Sequence, residues 1–212
     1  MGRAYVLVEG HGERGAVDNL LWRLCEDLGL ALTWAPAIRR PDLRSPRGVE
    51  QGAEIVRAKA DAEALLVLCD EDDDCPKERA PLMAAWLERL QLHFPAAIVL
   101  LRPEYEVLFL PCLHRMEGKP LGTGAASRPG LRSGTRWEGG WESRRDVKGW
   151  LTAHFPPNRI YKPTLDQLPL TRMIDFDDLR RADLPCFGTL ERAVKFLADG
   201  LPERVYPPAR RS

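Results

Sequence analysis

The run Ala64-Leu65-Leu66-Val67-Leu68-Cys69, followed at once by Asp70-Glu71-Asp72-Asp73-Asp74, constrains this chain more than any other stretch. Six unbroken apolar residues read as a strand buried on both faces, the pattern of a parallel sheet. Five acidic residues at the end of such a strand repel one another unless something positive neutralises them. A hard divalent cation such as Mg²⁺ suits oxygen ligands of this kind. In open α/β sheets, ligands sit outside the carboxyl ends of the strands, which is where this cluster falls. The competing reading is a solvated acidic loop that caps the next helix, with Asp74 as the cap of a segment starting at Pro76, where proline suits a first helical turn.

Residues 4–8 form a second apolar run, which ends in Glu9-Gly10-His11-Gly12-Glu13. Ala16, Val17, Leu20, Leu21, Leu24 and Leu28 then recur at helical spacing, and Gly29 stands where a glycine stops a helix. Glu9 therefore lies on a strand end. Glu13 lies in the first helical turn, where the dipole tolerates a carboxylate. The glycines between them allow a tight turn and close approach to a ligand. They lack the third glycine of a dinucleotide fingerprint. Taken alone, Glu9 and Glu13 fit a helix-capping arrangement as well as a ligand pair.

The alternation continues. Residues 30–34 read as a short strand, and residues 39–46 as a basic, proline-bearing loop with Arg39, Arg40 and Arg44. A helix is predicted over 48–60. Another is predicted over 81–92, with Leu82, Met83, Trp86, Leu87 and Leu90 in the core. Residues 96–101 read as a further buried strand, ending in Arg102-Pro103-Glu104-Tyr105-Glu106. This order predicts a doubly wound α/β sheet. Three strand ends then bring carboxylates to one edge: Glu9, Asp70 with its neighbours, and Glu104 with Glu106. That convergence favours a metal site over the solvated loop.

The second half is different material. Residues 118–145 are glycine-rich, and six basic residues against two acidic ones leave a net charge of +4. Lys119, Arg128, Arg132, Arg136, Arg144 and Arg145 supply the positive charge, with Trp137 and Trp141 interleaved. Such a loop can grip a phosphate backbone and stack bases, or be a poorly ordered insertion. Residues 146–151 open a short helix, 156–170 read as irregular, 190–197 as a last amphipathic helix, and the Pro- and Arg-rich tail from residue 202 as loose. The whole chain carries 31 basic and 31 acidic residues, so only the placement of charge bears on a nucleic-acid partner. Five dispersed cysteines with no secretory segment ahead of them predict free thiols in a reducing cytoplasm, and no apolar run approaches a membrane span. A zinc site at Cys112 and His114, or at Cys69 and Cys75, fits no standard spacing.

Val8-Glu9-Gly10-His11-Gly12-Glu13 with Asp70-Glu71-Asp72-Asp73 resembles the TOPRIM domain of topoisomerases, primases and the "overcoming lysogenisation defect" nucleases. The resemblance is closer still to a family of small stand-alone TOPRIM-like bacterial proteins of unknown function. They share the Asp-x-Asp-Asp-Asp-Cys-Pro segment (Asp70 to Pro76), Glu104-Tyr105-Glu106 before an apolar segment, Lys148-Gly149-Trp150-Leu151, and Lys162-Pro163 followed by Asp166-Gln167. The resemblance implies a TOPRIM-like core over residues 1–115. Residues 116–212 would then be a basic, glycine-rich and helical extension packed on the same domain.

It also implies one or two Mg²⁺ or Mn²⁺ ions held by Glu9, Glu13, Asp70, Asp72, Asp73, Glu104 and Glu106. Glu9, Glu106 and a lysine would be catalytic; Lys148 is the first choice for that lysine and Lys162 the second. The implied activity is phosphodiester hydrolysis on DNA or RNA, in phage defence or DNA repair. Arg39, Arg40, Arg128, Arg132, Arg136, Arg144 and Arg145 would then hold the nucleic acid. In the nucleases an ATPase domain is fused to the TOPRIM part; here a partner protein would supply it, which leaves a non-catalytic metal-binding subunit as the alternative. Hydrolysis of a small phosphate ester through an Asp70 nucleophile is a third reading.

Overall fold

The computed structural model describes residues 2–143, 145–201 and 204–209. Its centre is a parallel five-stranded sheet in the order β2-β1-β3-β4-β5, formed by β1 (Arg3–Val8), β2 (Ile38–Arg39), β3 (Ala62–Asp70), β4 (Ala96–Leu101) and β5 (Val205–Tyr206). Among the described residues eight α-helices accompany it: α1 (Glu13–Leu28), α2 (Pro46–Arg57), α3 (Pro76–Glu88), α4 (Leu113–Met116), α5 (Val147–His154), α6 (Pro163–Thr171), α7 (Phe176–Arg181) and α8 (Pro185–Ala198). The protein is an α/β fold.

Strand side chains alternate between two cores. Val6, Leu66 and Val99 face one layer with α1, α8 and the C-terminal helices; Leu7, Val67 and Ile98 face the other with α2 and α3. All six of these side chains are inaccessible to solvent. Burial of each contributes on the order of 1.5–3 kcal/mol. The chain leaves β1 toward β2 on one side and later adds β3 and β4 on the other. The order therefore reverses between β1 and β3, and the crevice outside their carboxyl ends is where such sheets receive ligands.

Several boundaries differ from the sequence expectation. Residues 30–34 are not a strand. Trp34 makes one isolated bridge to Ala4, Pro36 follows and has no N–H to give a ladder, and pairing with β1 resumes at Ile38–Arg39. Arg39 thus belongs to the edge strand. α3 starts at Pro76, where the proline supplies the preset first turn, ahead of the amphipathic run read from Pro81. Its buried face is Ala80, Met83, Ala84 and Leu87, so Leu82 is exposed and Trp86 and Leu90 are only partly buried. Residues 163–171 are helical, not irregular: Pro163 opens α6 and the Asp166 carboxylate accepts the Lys162 amide. α8 starts at Pro185, ahead of the predicted residue 190. Within the tail, Val205 and Tyr206 pair with Ala96 and Ala97.

The basic segment 118–145 is irregular but anchored. Trp137 packs edge-on against Trp150 at 5.1 Å, and the Trp141 indole N–H donates to the Ala182 carbonyl at 2.8 Å. Both rings hold the segment to the helical layer and are partly buried there. All five cysteines are free thiols, with Cys75 exposed and the others buried. Among the described residues no helix is long and apolar enough to cross a membrane.

Candidate functional site

At the end of β3, Asp70 turns one carboxylate oxygen to the backbone N–H of Tyr105, 2.8 Å away. Beyond β4 the chain enters a 3-10 turn, Tyr105–Cys112, that buries Glu106 completely and Glu104 almost completely. The counter-charge comes from α5. Asp146 caps that helix by accepting the Gly149 amide, which places Lys148 in the first turn. Glu104 holds Lys148 twice, accepting its backbone N–H at 2.7 Å and its ammonium at 2.6 Å. The same Nζ stands 3.3 Å from Glu106 and 3.5 Å from Asp70.

Glu106 is held from the other side by α6 and the segment before it. The Tyr161 hydroxyl donates to its Oε1 at 2.7 Å and the Gln167 amide at 3.2 Å. Its Oε2 accepts no well-directed hydrogen bond. Gln167 reaches this position because α6 lies against the β1–α1 turn. A Cβ on Gly12 would stand 2.6 Å from the Pro163 carbonyl carbon and from the Gln167 amide oxygen, so only glycine permits that approach.

On the β1 side, Glu13 Oε2 accepts the amides of Glu9 and Gly10 at 3.1 and 3.0 Å. The capping role is therefore the one Glu13 performs within the chain, and it fixes the backbone from which Glu9 projects. Burial first, and then the charge of Glu13, push the Glu9 carboxyl up to about 7. Burial also lifts Glu106 to about 7 against the pull of Lys148. Asp70 is raised well above the usual carboxylate range by burial, with Glu13 and Glu106 adding to it and Lys148 opposing. Asp72 is raised by burial and by Glu104. Burial would lower the Lys148 ammonium, but Glu106, Asp70 and Glu104 outweigh it and hold it above its ordinary value.

The rest of the acidic run divides. Glu71, to which the sequence assigned no role, is the residue that turns inward: fully buried, its Oε1 accepts the Asp73 and Asp74 amides and the Arg44 guanidinium at 3.0–3.2 Å. Asp73 faces arginines, with Arg145 at 2.9 Å and Arg44 at 4.0 Å, and so stands with the basic surface rather than with Lys148. Asp74 does not cap α3; Cys75 is the N-cap residue and bonds no first-turn amide through its side chain. Lys162 is exposed and lends only its backbone N–H to Asp166. Sequence reasoning also passed over Tyr161 and the role of Gln167. The short Tyr161-Lys162-Pro163 and Asp166-Gln167 segments were the only signal.

The arginines predicted to hold nucleic acid are tied to different parts of the chain. Arg39 bonds the Glu9 carbonyl, Arg40 the Gln51 side chain, Arg128 the Leu165 carbonyl, Arg132 the Ala153 carbonyl, and Arg136 the Glu117 carboxylate. Arg145 pairs with Asp73. Arg144 lies outside the described residues. Arg39, Arg132, Arg136 and Arg145 remain exposed at these positions. Cys112 and His114 also part company: the thiol bonds the backbone of Asp175 and the imidazole pairs with Asp178.

Among the described residues no three His, Cys, Asp or Glu side chains close on one point as a preformed metal cage. The donor chemistry nevertheless fits a hard divalent cation. Asp70, Glu104 and Glu106 share the single ammonium of Lys148, while Glu9 and Glu13 have no basic group within ion-pair distance among the described residues. The site carries more negative than positive charge, and every donor is oxygen.

A family model described as "Domain of unknown function (DUF4276)" matches residues 8–195. The chain belongs to the DUF4276 family. The matched stretch runs from the last residue of β1 into α8 and so takes in every residue of the carboxylate–lysine cluster. No curated protein and no solved structure matches the chain.

Proposed function

We propose that this DUF4276 chain is a divalent-metal-dependent phosphodiesterase acting on nucleic acid, with its site at the carboxyl edge of the sheet. The observation that carries this reading is the excess of carboxylate over ammonium at the β1/β3 switch point, where Asp70, Glu104 and Glu106 share one lysine and Glu9 at the end of β1 has no basic group within ion-pair distance among the described residues. The resemblance of the β1, β3 and β4 ends to TOPRIM motifs supports it. Glu9, Asp70 and Asp72 would hold Mg²⁺ or Mn²⁺, with Glu104 and Glu106 bordering the same space. When bound, the ion would supply positive charge to the phosphate oxygens and lower the pKa of a water.

The chain's own residues do the rest. Glu13 fixes the turn that carries Glu9. Glu106, lifted to about 7, is poised to take a proton near neutral pH. Lys148 is placed to stabilise charge that develops on a phosphate oxygen. Tyr161 and Gln167 orient Glu106. The test is cleavage of single- and double-stranded DNA and of RNA by purified protein in Mn²⁺ or Mg²⁺. Asp70→Asn should lower the rate by at least about a hundredfold while the fold is retained. Cleavage that is unchanged in Asp70→Asn would sink the reading.

One observation favours a second reading, a non-catalytic subunit that docks on an ATPase partner: Lys148 already occupies the space between Asp70, Glu104 and Glu106. That reading expects no cleavage by the wild-type protein under any metal, together with stable capture of an ATPase from the native host.

A further inference from the structure

A cavity of about 440 Å³ opens at the same sheet edge without including the carboxylate cluster. It lies between the first turns of α3 and α8, the end of β4, and β5. None of Glu9, Asp70, Glu104, Glu106 or Lys148 lines it. Its wall is largely apolar, with Ala80, Pro81, Leu100 and Pro185, and the Tyr206 ring stands beside them. Three cations border it: Lys77, Arg102 and Arg192.

Those cations differ from the other basic groups around them. Among the described residues none of the three has a carboxylate within ion-pair distance. Arg102 donates to the Asp74 carbonyl at 3.0 Å; Arg192 donates to the Tyr206 hydroxyl and the Thr189 hydroxyl, both at 3.0 Å. Neutral oxygens thus orient two guanidinium groups without cancelling their charge, which is how a fork is preorganised for an incoming anion. α3 and α8 both begin at the cavity with a proline and without a side-chain cap, so their dipoles add to the positive potential. The chain's own anion here is Glu142. Burial pushes its carboxyl up, and the charges of Arg102 and Lys77 and the Cys186 amide pull it back.

We infer that this cavity binds a nucleotide unit, with the phosphate between Lys77, Arg102 and Arg192 and the base against the apolar wall and Tyr206. The volume exceeds what a bare phosphate fills and lies in the range of small-molecule sites. The apolar wall calls for a flat apolar body, and three cations against the single carboxylate of Glu142 call for a terminal phosphate monoester. Two sources share that chemistry: a free mononucleotide, and the 5′-phosphorylated end of a strand. The inference does not depend on hydrolysis at the carboxylate cluster.

The experiment is calorimetric titration of the full chain in chelator, with AMP, adenosine, inorganic phosphate and a short 5′-phosphorylated oligodeoxynucleotide as probes. AMP, the oligonucleotide or both should bind saturably, with phosphate and adenosine each at least about tenfold weaker than the better of them. Saturation by AMP identifies the free nucleotide as a ligand; saturation by the oligonucleotide alone identifies the strand end. Lys77→Glu/Arg192→Glu, two exposed positions, should lower affinity about tenfold or more at unchanged thermal stability, and Glu142→Gln should raise it about threefold. Absence of saturation by both nucleotide probes, phosphate binding as tightly as AMP, or unchanged affinity in the double variant would each overturn the inference. Working in chelator keeps a failure here separate from a failure of metal-dependent cleavage.

Discussion

The carboxylate cluster and the cation-lined cavity share one edge of the sheet and carry opposite charge, and they are compensated in different ways. In the cluster the compensation is internal. Lys148 reaches Glu104, Glu106 and Asp70, while Tyr161, Gln167 and the Tyr105 amide occupy further carboxylate lone pairs. In the cavity Arg102 and Arg192 are oriented by neutral oxygens and retain their charge. The difference follows from burial. Glu106 is wholly inaccessible, and a buried charge without a partner costs several kcal/mol. Lys77 and Arg192 are exposed, and water compensates them until a ligand arrives. Removing one charge from the cluster therefore leaves the others buried and unpaired, whereas removing Lys77 or Arg192 leaves no buried group without a partner.

That contrast breaks most visibly at Lys148. Lys148→Met leaves Glu104, Glu106 and Asp70 facing one another without a cation. It should lower the unfolding free energy by about 2–4 kcal/mol, toward the low end because Lys148 is about one-third exposed. Urea denaturation in chelator and in Mn²⁺ checks it; the metal should recover more stability in the variant than in the wild type. Equal stability of variant and wild type would mean that the lysine is not the cluster's counter-ion.

Glu71→Ala should cost less, about 1–3 kcal/mol, because it orphans the Asp73 and Asp74 amides and the Arg44 guanidinium at the start of α3. The same denaturation series measures it.

The pH response should be smaller and of defined sign. Glu9 and Glu106 titrate at about 7 in the folded chain against an ordinary value of 4.5, so the folded state holds more protons than the unfolded state between those values. Their contribution to stability is complete below about 4.5 and lost as pH rises through about 7. The melting temperature in chelator should fall across that window, and saturating Mg²⁺ should flatten the fall. A melting temperature that rises across the window would show that these carboxylates are ionised throughout.

The smallest effect is expected at Arg145→Ala. This ion pair with Asp73 is mostly solvent-exposed on both sides, so its loss should shift stability by less than about 0.5 kcal/mol. A loss as large as that at Lys148 would erase the distinction between buried and surface compensation.

The local pattern of the chain was enough to specify the parallel strands and their acidic ends. The runs at residues 4–8, 64–69 and 96–101 are apolar without alternation because both faces of each strand are covered, and that is written residue by residue. The carboxyl edge follows from that topology, so the pattern alone puts Glu9, Asp70 and Glu104 at strand ends on one edge. The strand at Ile38–Arg39 was not legible, since two residues and a preceding proline leave no period to read. Nor were the short strand in the tail and the turn at Pro163.

Inside the acidic run, five carboxylates look alike in sequence, and only the packed structure separates them. Asp70 meets the Tyr105 amide and Lys148, Glu71 turns inward to its loop and Arg44, and Asp73 turns to Arg145. The reason is physical: a strand pattern says which side of a sheet a residue faces, but the partner of a buried charge is brought in from far along the chain. Lys148 lies 78 residues from Asp70, and Tyr161 lies 55 from Glu106. Only tertiary packing puts those groups within a hydrogen bond of one another.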